Sequence, residues 1–106
     1  MYVILGAPQC KYCNEAKKVL QGKSYKYVDL TTIYGTEGWR KIFSDIPAYI
    51  GQRTIPLVFV IEGDRDVTVN THGELMDVIS EATFVGGFIE LIDHLESQDL
   101  AMDGDY

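Results

Sequence analysis

The chain has 106 residues, 46% of them apolar and 24% charged, with a formal net charge of −7. That is the size and composition of one soluble globular domain, able to bury a core without disulfide staples. The acidic balance argues against nucleic acid or an anionic membrane as a partner, since both need clustered Lys and Arg. No apolar run is long enough to span a bilayer. The first residues lack the basic start and long apolar stretch of a signal peptide, so the expected compartment is the cytoplasm, where thiols stay reduced.

"YVILG" (2–6) is a short apolar run closed by Gly, suited to a strand buried on both faces. From Lys11 to Gln21 the apolar positions are Tyr12, Ala16, Val19 and Leu20, the spacing of an amphipathic helix, with Gly22 as its stop. "SYKYVDL" (24–30) reads as a second strand and "TTIYGTEG" as a turn. Trp39, Ile42, Phe43 and Ile46 mark a second helix that Pro47 ends. "PLVFVI" (56–61) is a third strand. After it, "DVTV" suits a hairpin extension and "GELMDVISEA" a short helix. "TFVGG" (83–87) supplies a fourth strand, and Phe88, Leu91, Ile92 and Leu95 a last helix. The acidic, Gly-containing end reads as a frayed tail. This order indicates an α/β fold, its first two strands parallel through a right-handed crossover.

The two cysteines, Cys10 and Cys13, stand three apart at the head of the first helix. Two unrelated buried thiols fit this placement poorly, because residues at i and i+3 share a helix face and their sulfurs can meet. A metal site needs further ligands, and the remaining candidates, His72 and His94, lie far away in no ligand spacing. C-x-x-C beside a βαβ pattern points instead to thiol–disulfide exchange. The free N–H groups and dipole of the helix start stabilise a thiolate at Cys10, and Lys11, with Lys17 or Lys18, adds positive potential. Cys10 is then the nucleophile. Cys13, one turn inside, resolves a mixed disulfide.

Three stretches resemble the glutaredoxins of the thioredoxin-fold superfamily. "CKYC" is similar to the family's C-P-Y-C, with Lys11 for Pro. "GQRTIPLVFV" (51–60) resembles G-x-R-T-V-P-x-V-F-I, and "GGFIEL" (86–91) resembles G-G-x-x-D-L, with Glu90 for Asp. A residue other than Pro between the cysteines also resembles the small thioredoxin/glutaredoxin hybrids of large bacteriophages, which donate electrons to ribonucleotide reductase.

The resemblance implies a mixed four-stranded sheet flanked by helices. The domain spans 1–97, with an insert at about 64–82 between strands 3 and 4, and 98–106 form the acidic tail. It also implies roles. Pro56 takes the place of a cis-proline beside the active site, with the backbone of Ile55 available to pair with a substrate. Gly86 and Gly87 open the last helix, whose N–H groups receive the γ-glutamyl carboxylate of glutathione, with Phe88 beside them. Glu90 holds the glutamyl amine, Arg53 and Thr54 lie near the glycyl end, and Tyr12 lines the pocket of the sulfur. The bland alternatives stay open for Glu90, a solvated helix residue, and Arg53, a surface charge. Ala7 stands where the family has Lys, which removes one glutathione contact. Trp39, Tyr2, Tyr25 and Tyr27 read as core or sheet surface, and His72 as a loop residue within an insert that serves as lid, partner element or decoration.

The expected activity is glutathione-linked reduction of protein disulfides or glutathione mixed disulfides by a monomer. Glutathione is the reductant, and no cofactor is bound. The expected partners are disulfide-containing proteins, ribonucleotide reductase among them. Two alternatives remain: a thioredoxin-like reductant recycled by a flavoprotein reductase, and a glutathione-dependent [2Fe–2S] cluster-binding module.

Overall fold

The structure, a computed structural model, describes residues 1–46, 54–63 and 67–103, with side chains as far as residue 97. Its sheet has the order β2-β1-β3-β4. Strand β1 (Tyr2–Gly6) pairs in parallel with β2 (Tyr25–Asp29), placing Gly6 opposite Asp29. Helix α1 (Lys11–Val19) makes the crossover between them. Strand β3 (Leu57–Val60) runs antiparallel to β1, with Leu57 opposite Leu5, and β4 (Thr83–Gly86) runs antiparallel to β3. The last residues of β1 and β4 and the first of β3 therefore meet at one end of the sheet.

The sheet is buried on both faces, as its apolar strands require. On one face Ile4 and Val58 pack with Ala16 and Leu20 of the α1 region and with Leu91 of α5 (Phe88–Asp103). On the other, Val3, Leu5, Val28, Leu57 and Phe59 meet α2 (Leu30–Tyr34), a 3-10 turn (Trp39–Lys41), α3 (Ile42–Asp45) and α4 (His72–Glu81).

Four features differ from the sequence reading. Residues 30–34 are helical, where Leu30 was expected to end a strand and residues 31–34 to form a turn. Asp29 caps them by accepting hydrogen bonds from Thr31 N–H at 2.9 Å and Thr31 Oγ1 at 2.6 Å, and Gly35, with φ 86°, closes them. The cap outweighs the poor helix propensity of two threonines and an isoleucine. Second, Val67 and Val69 are buried in core contacts without forming a strand. Third, the insert is structural. Val67, Val69, Leu75, Val78 and Ile79 join the core, each burial contributing about 1.5–3 kcal/mol for a large aliphatic side chain. A variant of the capping box starts its helix: Thr71 Oγ1 accepts from Glu74 N–H at 3.2 Å, while Glu74 Oε1 accepts from the N–H of Asn70, one residue before the N-cap, at 3.1 Å. Fourth, α5 runs to Asp103, into the segment set apart as a tail, because the first helix breaker there is Gly104.

Candidate functional site

Cys10 is the N-cap of α1. Its backbone is extended (φ −92°, ψ 110°), and its carbonyl accepts the first helical hydrogen bond, from Asn14 N–H at 3.2 Å. Its sulfur takes the part usually played by a Ser or Asp oxygen, accepting from Cys13 N–H at 3.1 Å. The approach to this cap is tightly turned, since Gln9 lies in the left-handed region at φ 65°. Cys10 and Cys13 are joined as a disulfide with Cα atoms 5.2 Å apart. Cys10 is half-buried and Cys13 is 0% exposed, so an incoming thiolate can reach only the outer sulfur. The expected order of attack follows from that difference in access.

Beneath the disulfide lies Gly6, the last residue of β1. A Cβ there would stand 2.6 Å from Tyr27 Oη and 2.7 Å from Cys13 Sγ, closer than real Cβ contacts permit. Glycine lets both atoms settle over the strand end. The Tyr27 phenol donates to the Ala7 carbonyl at 3.4 Å, and the Lys17 ammonium sits 4.1 Å from the centre of its ring. Burial pushes the Tyr27 phenol pKa above its ordinary value, with the negative charge of Asp29 adding to the effect. Lys18 turns instead to Glu15 at 3.5 Å, an exposed pair worth little.

Two further walls come from distant parts of the chain. Tyr12, 53% exposed, lays its ring against Phe88 at 5.6 Å between centroids, so the "CKYC" and "GGFIEL" stretches meet. Gly86 has φ 135°, and a Cβ on it would overlap Glu90 Cβ and Cγ. Gly87 is buried. Its carbonyl accepts from Leu91 N–H at 3.0 Å, and its N–H donates to Glu90 Oε1 at 3.0 Å. The second wall is the Ile55–Pro56 peptide, which is cis. Pro56 is buried at the start of β3, across from the end of β1. Thr54 and Ile55 border a hollow of about 500 Å³ with Trp39, Arg40, Phe43 and Ser44. Arg53 lies outside the described residues.

His72 is turned away from the cysteines. Its Nδ1 is 2.6 Å from Tyr34 Oη and 3.7 Å from Asp45 Oδ2. Among the described residues no three His, Cys, Asp or Glu side chains converge as a metal site. The structure brings the two cysteines, Tyr12, Phe88, Pro56 and the glycine pair to one end of the sheet, and sets beside them Gly6, Gln9 and Tyr27, to which the sequence reading gave no part in the site. The signal for Gly6 was its position at a strand end four residues before a cysteine. Tyr27 gave none, because an aromatic on a strand is ordinarily packing.

A family model described as glutaredoxin matches residues 1–67. Glutaredoxin-C2 of Arabidopsis thaliana is 35% identical over 92 residues, covering 80% of each chain. Among solved structures, the buckwheat glutaredoxin–glutathione complex matches with a TM-score of 0.59 at 20% identity, covering 94% of this chain and 72% of that one. The holo form of glutaredoxin C1 from Populus tremula x tremuloides matches at 0.60 and 22%, covering 94% and 78%.

Proposed function

The chain belongs to the glutaredoxin family, and from that premise we propose that it is a glutathione-linked reductant of protein disulfides and glutathione mixed disulfides. It is a thiol–disulfide oxidoreductase. The observation that carries the finer reading is the Cys10 sulfur at the start of α1, capped by Cys13 N–H and joined to a buried Cys13.

In the reduced protein the same N–H and the helix dipole favour thiolate at Cys10. The thiolate attacks one sulfur of a substrate disulfide. A Cys10–substrate bond forms, and the other sulfur departs with the electron pair. Cys13 then attacks Cys10 Sγ, closing the disulfide and releasing the reduced substrate. A glutathione thiolate reopens that bond at Cys10, the reachable sulfur. A second glutathione takes the first as glutathione disulfide, leaving both protein thiols reduced.

For glutathione we assign Tyr12 and Phe88 to the side of its sulfur. Gly87 and Glu90 take the glutamyl end, and Arg53 and Thr54 the glycyl end. The backbone of Ile55 before Pro56 pairs with the cysteine backbone as a short added strand. The buckwheat neighbour is a glutathione complex, which supports the ligand class. Ribonucleotide reductase as a protein substrate is supported by the phage-like substitution at Lys11 alone. The protein acts as a cytoplasmic monomer in this reading.

Supplying either glutathione or a flavoprotein thioredoxin reductase to the oxidised protein tests the proposal. Turnover is expected with glutathione. Turnover with the reductase alone would overturn the glutathione link and leave the exchange chemistry standing.

A further inference from the structure

We propose that Tyr27 is a positioning residue for Cys13: when the disulfide opens, its phenol O–H turns to donate a hydrogen bond to the Cys13 thiolate. The inference rests on the reading of Cys13 as the resolving thiol.

Four observations converge on it. First, Tyr27 Oη and Cys13 Sγ border the same gap above Gly6, since a single added Cβ would touch both, at 2.6 and 2.7 Å. Second, the phenol is weakly committed in the oxidised protein. Its contact with the Ala7 carbonyl is 3.4 Å, long beside the roughly 2.5–3.0 Å of ordinary O–H···O bonds. Third, Cys13 is 0% exposed, so a thiolate there has no water to solvate it and needs a donor from the protein. The disulfide sulfur has no such need, which matches a phenol held only by the long bond to Ala7. Fourth, the ring is held in place by the Lys17 ammonium over its face, 4.1 Å from the centroid. The charged groups that act on Tyr27 are Lys17, from α1, and Asp29, at the end of its own strand. Burial and Asp29 both favour the neutral phenol, so Tyr27 serves as a donor and keeps its proton throughout.

The step it assists is the closing one. The Cys13 thiol releases its proton to solvent. The thiolate attacks Cys10 Sγ, the Cys10–Cys13 bond forms and the Cys10–substrate bond breaks. The electron pair leaves on the substrate sulfur, which then takes up a proton.

Two measurements test this. In Cys10→Ser protein, the ultraviolet absorbance of the thiolate reports the titration of Cys13. Adding Tyr27→Phe keeps the ring and removes the donor, and it should move that midpoint up by about one pKa unit, the worth of a hydrogen bond to a charged group. An unchanged midpoint overturns the proposal. In turnover, Tyr27→Phe should slow dithiol reduction of a protein disulfide several-fold in otherwise wild-type protein, and should leave the deglutathionylation that Cys13→Ser protein retains at its rate. Equal slowing of both reactions would mark a merely structural role and overturn it as well. If Cys13→Ser alone reduces protein disulfides at the wild-type rate, the resolving assignment has failed, while the Cys13 titration still decides on Tyr27.

Discussion

Glu90 folds back over the start of its own helix and accepts the N–H of Gly87 at 3.0 Å. The resemblance assigned that carboxylate to the amine of glutathione and that N–H to a glutathione carboxylate. In the free protein the two satisfy each other, so at the proposed glutathione site a γ-glutamyl group would replace a bond already made. Replacing Glu90 separates the roles. Glu90→Gln retains an oxygen for Gly87 and loses the charge. Glu90→Ala loses both. The KM for glutathione should rise several-fold in both variants. Unfolding free energy should fall by about 1 kcal/mol in the Ala variant and hardly at all in the Gln variant. Glutathione titrations and denaturant unfolding check the two parts.

Gly6 is required by its neighbours. An added methyl would press on Tyr27 Oη, at the tip of a half-buried ring, and on Cys13 Sγ, which is fully buried. Gly6→Ala should therefore cost about 1–3 kcal/mol, as overpacking does. It should also slow disulfide closure by displacing the Cys13 sulfur. Denaturant unfolding of the oxidised protein reads the first effect, and stopped-flow closure of a mixed disulfide reads the second.

The insert between β3 and β4 belongs to the core. Leu75 is fully buried with Val78 and Ile79 against the sheet face opposite α1 and α5. Leu75→Ala should cost about 2–5 kcal/mol. Exposed Asp77 on the same helix is the control, and Asp77→Ala should stay within about 0.5 kcal/mol of wild type. Both variants should retain disulfide reduction where they are folded, since neither residue borders the cysteines. Thermal and denaturant unfolding test this directly.

Alkaline pH should destabilise the fold through two tyrosines. Burial is the larger cause of a raised phenol pKa at Tyr27 and Tyr34, assisted by Asp29 and Asp45 respectively. A group whose folded pKa exceeds its unfolded value contributes stability that is complete below the unfolded value, 10.0 for tyrosine, and lost as pH rises through the folded one. Stability should thus decline above about pH 10. The decline should be shallower in Tyr27→Phe and Tyr34→Phe, as read by denaturant midpoints across that range.

Much of this was legible before the structure, and for a common reason. Helical periodicity marked α1, through Ala16 and Leu20, and β-branched and aromatic content marked β3, through its run of Leu, Val and Phe. The cysteine pair was legible because i, i+3 spacing has one geometric meaning on a helix. What stayed hidden depended on specific partners, some adjacent and some distant in the chain. Residues 31–34 looked like a turn because their propensity is poor, and the Asp29 side chain, bonded to Thr31, caps them as a helix. The insert stayed open between lid, partner element and decoration because nothing in "VTVN" announces that Val67 and Val69 reach the core. Tyr27 is 14 residues from Cys13, and only the parallel pairing of β1 and β2 sets it beside Gly6 and the buried sulfur.

The central claim is that Cys10 attacks and Cys13 resolves, with glutathione closing the cycle. Glutathione-coupled reduction of a protein disulfide and of a glutathionylated peptide, by wild type, Cys10→Ser and Cys13→Ser, tests it most directly. Cys10→Ser should lose both activities. Cys13→Ser should lose reduction of the protein disulfide and retain much of the deglutathionylation. Activity surviving in Cys10→Ser would contradict the account, because the only reachable sulfur of the pair would then not be the one that reacts.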